Sequence, residues 1–120
     1  MENTFNYVFL ETAPSHEDLA SLNRLIGQTP EKRKSISASS VQNLLSNGGA
    51  VVIARDRQSH SIVGLGTISP SVRIDGPVWH KIKDAIVDAK CQHGAEVYRQ
   101  IIGCLERAAK RHGIELQTVA

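Results

Sequence analysis

The sequence predicts a mixed α/β domain, a sheet of about five strands with helices packed on it. Three observations predict it. Residues 50–68 read as a hairpin, two apolar strands around a polar turn. Residues 98–111 carry the strongest helical period in the chain, and an alternating segment, 114–119, follows. A long extended segment, 78–87, precedes that helix. The last third is therefore strand, helix, strand, a unit that joins parallel strands by a right-handed crossover.

The elements follow in order. Residues 7–10 are a short opening strand. Ser15 begins a helix, with Asp18 three places on in a near capping-box pattern. Leu19, Leu22 and Ile26 recur on one face, and Gly27 stops the helix. Thr29-Pro30-Glu31 reads as another start, with Pro30 at the first helical position. Val41, Leu44 and Leu45 form a short apolar face ended by Asn47-Gly48-Gly49. The hairpin strands are 50–54 and 62–68, with the turn at 56–60 and Pro70 closing the second strand. Gly64 and Gly66 leave room for close packing or a bulge. Residues 71–77 are a loop. The strand at 78–87 alternates first and then turns continuously apolar, which predicts a more deeply buried end. Residues 88–94 connect it to the long helix, whose apolar face is Tyr98, Ile101, Ile102, Leu105, Ala108 and Ala109. Lys110, Arg111 and His112 suit the negative end of the helix dipole, and Gly113 is the expected residue past its end.

Composition narrows the class. A chain of 120 residues builds one core, so residues 1–120 read as one domain. Fourteen basic residues against 12 acidic give a net charge of +2, too balanced for nucleic acid as the main partner. Lys32-Arg33-Lys34 is the densest basic run and reads as a solvated loop. The two cysteines, Cys91 and Cys104, make no disulfide framework. No apolar stretch is long enough to span a bilayer, and no signal peptide is seen. The expected home is a reducing cytoplasm, with no membrane partner.

Three stretches carry a resemblance to a known family. They are SASSVQNLLSNGGAVVIARD (37–56), SIVGLGTI (61–68) and IKDAIVDAKCQHGAEVYRQIIGCLERAAKRHGIELQTV (82–119). In order and spacing they resemble the GNAT N-acyltransferases: second helix and second strand, the following strand with its "IVG", then central strand, cofactor helix and fifth strand. The resemblance implies transfer of an acetyl or similar acyl group from acetyl-CoA to an amine on a small molecule or a protein. It implies that the loop between the central strand and the helix aims backbone N–H groups at the coenzyme A pyrophosphate, beside the positive end of the helix dipole.

The family's loop pattern is Gln or Arg, two residues, Gly, one residue, then Gly or Ala. Two registers fit it here. Without a gap, Gln92, Ala95 and Val97 take the key places. With one residue inserted, His93, Glu96 and Tyr98 take them, and Gly94 lies between. In neither are both small positions small. The second brings the Glu96 carboxylate near bound phosphates, with Arg99 to offset it. The resemblance also implies that the backbone near Ile86 and Val87 meets the thioester and pantetheine arm.

Someone must accept the amine proton. By position on the central strand, His80 and Asp84 are the candidate bases, on one face if the strand is regular. Without the resemblance both read as exposed polar residues. Cys91 and His93 allow a nucleophile pair or half a metal site, but no second ligand pair accompanies them, so no metal is expected. Cys104, Tyr98 and Trp79 read as packing. Family members usually continue with another helix and two strands, which this sequence lacks. That leaves a minimal form, a site completed by a second copy through the exposed last strand, or a non-catalytic protein that binds a protein partner.

Overall fold

A computed structural model describes residues 4–28, 36–71, 79–111 and 116–118, with the backbone alone at 70, 71, 79–84, 111 and 116–118. The elements are β1 (Phe5–Phe9), α1 (His16–Gly27), α2 (Ala38–Ser46), β2 (Ala50–Asp56), β3 (Ile62–Ser71), β4 (Trp79–Val87), α3 (Gly94–Arg111) and β5 (Leu116–Thr118). The strands lie in the order β1-β2-β3-β4-β5. The first four form an antiparallel sheet, and the three-residue β5 runs parallel to β4. This is the expected mixed sheet, with its last two strands joined through α3.

Local chemistry starts and stops the helices. The Ser15 hydroxyl accepts the Asp18 N–H at 3.2 Å, and Glu17 and Asp18 place negative charge in the first turn of α1. Ser37 and Ser40 cap α2 reciprocally, a start that the apolar pattern from Val41 onward did not reveal. Past its end, Gly48 takes φ +86°. The Gly48 N–H reaches the Leu45 carbonyl at 3.3 Å and the Gly49 N–H reaches that of Leu44 at 2.8 Å, which satisfies the last carbonyls of the helix. In the hairpin turn one oxygen of Asp56 accepts the N–H groups of Gln58 (2.8 Å) and Ser59 (3.2 Å).

The sheet separates two cores. On one face Leu22, Leu25, Ile26 and Val41 pack on Val51, Ile53, Ile62 and Leu65. On the other, Val97, Ile101 and Leu105 pack on Val52, Ala54 and Ile68. The buried stripe of α3 is thus Val97, Ile101, Leu105 and Ala109: the expected face holds at Ile101, Leu105 and Ala109, and Val97 rather than Tyr98 carries it into the first turn. Tyr98 is 48% exposed, so it does not pack at the helix start. A stripe at strict i+4 spacing meets the sheet when the helix lies close against it.

Two strand expectations also change. β3 runs through Pro70 to Ser71, opposite His80 and Trp79. Its pairing with β2 ends at Ile68, so Pro70 lies where β3 has one neighbour and a missing N–H is tolerated. Residues 85–87 of β4 are half-buried rather than deep, and they alternate: Ile86 toward α1, Ala85 and Val87 toward α3. β5 pairs with β4 only over His80–Ile82, so among the described residues the end of β4 has a strand on one side alone. The second helix start at 29–31, the loop at 72–77 and Gly113 lie outside the described residues.

Candidate functional site

The site grows from the end of β4. Opposite Thr67 and Ile68, β4 supplies Asp84 and Ile82, so Lys83 is an extra residue and the strand bulges. A bulge shifts the alternation by one. Position 84 therefore shares the face of Thr67, and positions 82 and 80 share the face of Ile68. The expected same-face pair of His80 and Asp84 is split across the sheet, because the condition of a regular strand fails. Beyond the bulge, β4 passes Ile86 and Val87, with a strand on one side alone among the described residues, and enters the loop at 88–93.

That loop is tied down residue by residue. The Asp88 N–H bonds to the Val63 carbonyl at 2.8 Å and the Cys91 N–H to the Asp88 carbonyl at 3.0 Å. The Lys90 N–H bonds to the Asp88 carboxylate at 2.9 Å. The Ala89 N–H bonds to the side-chain oxygen of Gln28, the last-turn cap of α1, at 3.0 Å. The chain then enters α3, whose first intrahelical bond is Val97 N–H to His93 carbonyl at 2.9 Å. The N–H groups of Gly94, Ala95 and Glu96 precede it and have no acceptor within the helix. A Cβ added at Gly94 would meet only Val87 Cγ1, at 3.7 Å. No neighbour in the protein requires a glycine there; its effect is to leave the backbone open.

The predicted site residues divide accordingly. Gln92, His93, Ala95, Glu96 and Arg99 are exposed around the helix start. The His93 ring stands edge-on to Phe5, 6.2 Å between centroids. One Glu96 oxygen pairs with Arg99 at 3.1 Å, and the other accepts the Gln100 amide at 3.0 Å. The carboxylate that would oppose a phosphate is therefore already engaged by a cation and a donor of the next turn. Val97 is fully buried, and its N–H is used within the protein, so it belongs to the core and not to a ligand surface.

Tyr7, which the sequence had not marked out, stands on β1 among these groups. Burial raises its phenol above the ordinary value, and Glu96, Cys104 and Cys91 push it the same way. Gln28 was missed as well, since nothing local links it to a loop about sixty positions on. On the β3 side of the loop lies a cleft of about 460 Å³, bordered by Phe5, Arg24, Val63, Lys90 and Cys91 among others. Cys91 and Cys104 are free thiols, and Cys104 accepts from Arg107 at 3.4 Å beside the α3 core. Among the described residues no group of three or more His, Cys, Asp or Glu stands together as a metal site, and no helix is long and apolar enough to cross a membrane.

The architecture matches known structures. An acetyltransferase of Trypanosoma brucei aligns with TM-score 0.72 at 20% identity over 97% of this chain and 82% of its own. Glucosamine-6-phosphate N-acetyltransferase of Arabidopsis thaliana aligns with TM-score 0.74 at 16% identity over 98% and 83%. An aminoglycoside N-acetyltransferase solved in complex with CoA aligns with TM-score 0.72 at 14% identity over 97% and 76%. No family model matches the sequence, and no curated protein matches it. The chain has the fold of the GNAT acetyltransferases.

Proposed function

We propose that this protein transfers an acyl group, acetyl in the first instance, from its coenzyme A thioester to an amine. The observation that carries the reading is one juxtaposition. The edge of β4 past its bulge, with a strand on one side alone among the described residues, leads into a helix start whose first three N–H groups have no acceptor within the helix and whose glycine leaves the backbone accessible. An extended pantetheine arm needs such a strand edge to hydrogen-bond along, and a pyrophosphate needs such a cluster of N–H groups at a helix N-terminus. Acetyl-CoA, when bound, supplies a thioester carbonyl activated toward amines.

In this reading the N–H groups of Gly94, Ala95 and Glu96 hold the pyrophosphate, with the Glu96 charge offset by Arg99. The backbone at Ile86 and Val87 orients the arm. Asp84, next to the bulge and on the face of α1 and α2, is the favoured base for the attacking amine. His80 belongs to the opposite face and is the alternative. The acceptor class is a small amine, by likeness to neighbours described as acting on glucosamine-6-phosphate and aminoglycosides. That the structural neighbours are acetyltransferases supports the enzyme over a protein that only binds a partner.

Isothermal titration with acetyl-CoA, with free CoA as comparison, tests the reading. The expected result is saturable binding at roughly micromolar concentration with a matching rise in thermal midpoint. Absence of binding at about millimolar ligand would remove it. If binding is present, Asp84→Asn is expected to lower kcat by about a hundredfold or more in an acceptor screen, while His80→Gln changes it little. The reverse result would move the base to the other face.

A further inference from the structure

Gln28 serves two structures at once. Its backbone closes α1, with its N–H directed to the carbonyls of Leu25 and Ile26. Its side-chain amide turns away to the loop between β4 and α3. The oxygen accepts the Ala89 N–H at 3.0 Å, and the nitrogen donates to the Asp88 carboxylate at 3.4 Å. The same carboxylate oxygen accepts the Lys90 N–H at 2.9 Å, and the Asp88 N–H is pinned to β3 through the Val63 carbonyl at 2.8 Å. The amide therefore completes a closed set of contacts around three successive loop residues.

Past Cys91, whose N–H bonds back to Asp88 at 3.0 Å, the next such N–H bond among the described residues is that of Val97 to the His93 carbonyl, at 2.9 Å. The part of the loop that Gln28 grips thus lies just before the stretch that leads into the helix start at Gly94. Without the grip, the Ala89 N–H and the Asp88 carboxylate are free to seek water, and the path into Gly94 loosens.

We infer that Gln28 is a positioning residue for the cofactor loop: its amide clasp on Asp88 and Ala89 orients the first turn of α3 toward the coenzyme A pyrophosphate. This rests on the function proposed above. A comparable clasp on the same helix serves as the control. Asn23 accepts the Ile36 N–H at 2.7 Å and donates to the Ile36 carbonyl at 3.1 Å, fastening the entry to α2 instead of the loop.

The test uses the full chain and three variants, with amide exchange at Ala89 and acetyl-CoA titration as readouts. Gln28→Ala is expected to speed Ala89 exchange and to weaken acetyl-CoA roughly tenfold, about the worth of one hydrogen bond. KM for acetyl-CoA rises with it while kcat stays, because the contact acts on binding alone. Asn23→Ala lowers the thermal midpoint and leaves acetyl-CoA affinity within about twofold. Gln28→Glu keeps the acceptor for Ala89 but sets a carboxylate against Asp88. Its affinity relative to wild type falls at about pH 8 and recovers toward about pH 5, as the introduced carboxyl gains a proton to donate. Faster Ala89 exchange in Gln28→Ala with wild-type acetyl-CoA affinity overturns the role. Failure of the wild type to bind acetyl-CoA, with Ala89 still protected, overturns the proposed function and this role with it, while leaving the clasp itself intact.

Discussion

The two faces of the sheet hold their helices in different ways. Under α1 and α2, large side chain meets large: Leu22 and Leu25, both fully buried, face Val51, Ile53, Ile62 and Leu65. Under α3 the sheet side is small. A Cβ on Gly66 would collide with Ile101 Cγ2 and stand 3.0 Å from Leu105 Cδ1, and one on Gly64 would stand 2.7 Å from Ile101 Cδ1. α3 rests almost on the backbone of β3, and its depth is set by contact. α1 sits on a thicker layer and is located by polar ties: Asp18 to Arg55 at 2.9 Å, Asn23 to Ile36 at 2.7 Å and Gln28 to Ala89 at 3.0 Å. The helix that opens onto the candidate site is placed by sterics, and the helix that braces the loop is placed by hydrogen bonds.

The contrast predicts opposite sensitivities. The largest effect is expected from deletion on the thick side. Leu25→Ala should cost about 3 kcal/mol in urea unfolding, from lost burial and the cavity left behind, while acetyl-CoA affinity in the surviving folded protein holds. On the thin side an addition does the damage. Gly66→Ala should cost about 2 kcal/mol by forcing Ile101 and α3 outward, and it should weaken acetyl-CoA binding as the helix start moves. A cost below about 0.5 kcal/mol, or unchanged binding, would mean that the close contact does not set the position of α3.

The smallest effect concerns the group wedged beside α3. Folding raises the affinity of the Tyr7 phenol for its proton, through burial first and then through Glu96 and the two thiols. The folded state therefore holds that proton more tightly than the unfolded state. The associated stability is complete below about pH 10 and declines as pH rises through the folded value. Tyr7→Phe should flatten this alkaline decline in pH-dependent urea midpoints. An unchanged slope would show that the phenol does not titrate against the α3 face.

Much of the fold was legible because it was local. The alternation and apolar runs of the hairpin, the serine at position 15 and the period of the long helix each report a short-range rule, and the elements formed where those rules pointed. The glycines at 64 and 66 left room for close packing or a bulge, and the structure shows Ile101 pressed against both. The misses were also physical. The α2 cap is a pair of serines in a serine-rich stretch with no distinguishing period. Pro70 looked like a strand end because the loss of its second neighbour strand could not be seen in one dimension.

The candidate site divides along the same line. The residue types at the helix start, the open glycine and the likeness in order of elements could be read directly. The extra residue in β4 could not: it depends on how two strands separated in sequence align, and it alone puts Asp84 and His80 on different faces. Nor could the burial of Val97, the pairing of Glu96 with Arg99 and Gln100, or the reach of Gln28 to Ala89. Sequence by itself determined the elements, the Ser15 cap of the first helix and the demand for room at Gly64 and Gly66, since those follow from residues within a turn or a pleat of each other. Tertiary structure alone decided strand register, the face each side chain serves and which distant amide steadies the loop, because those are settled only when segments far apart in the chain compete for the same space and the same hydrogen bonds.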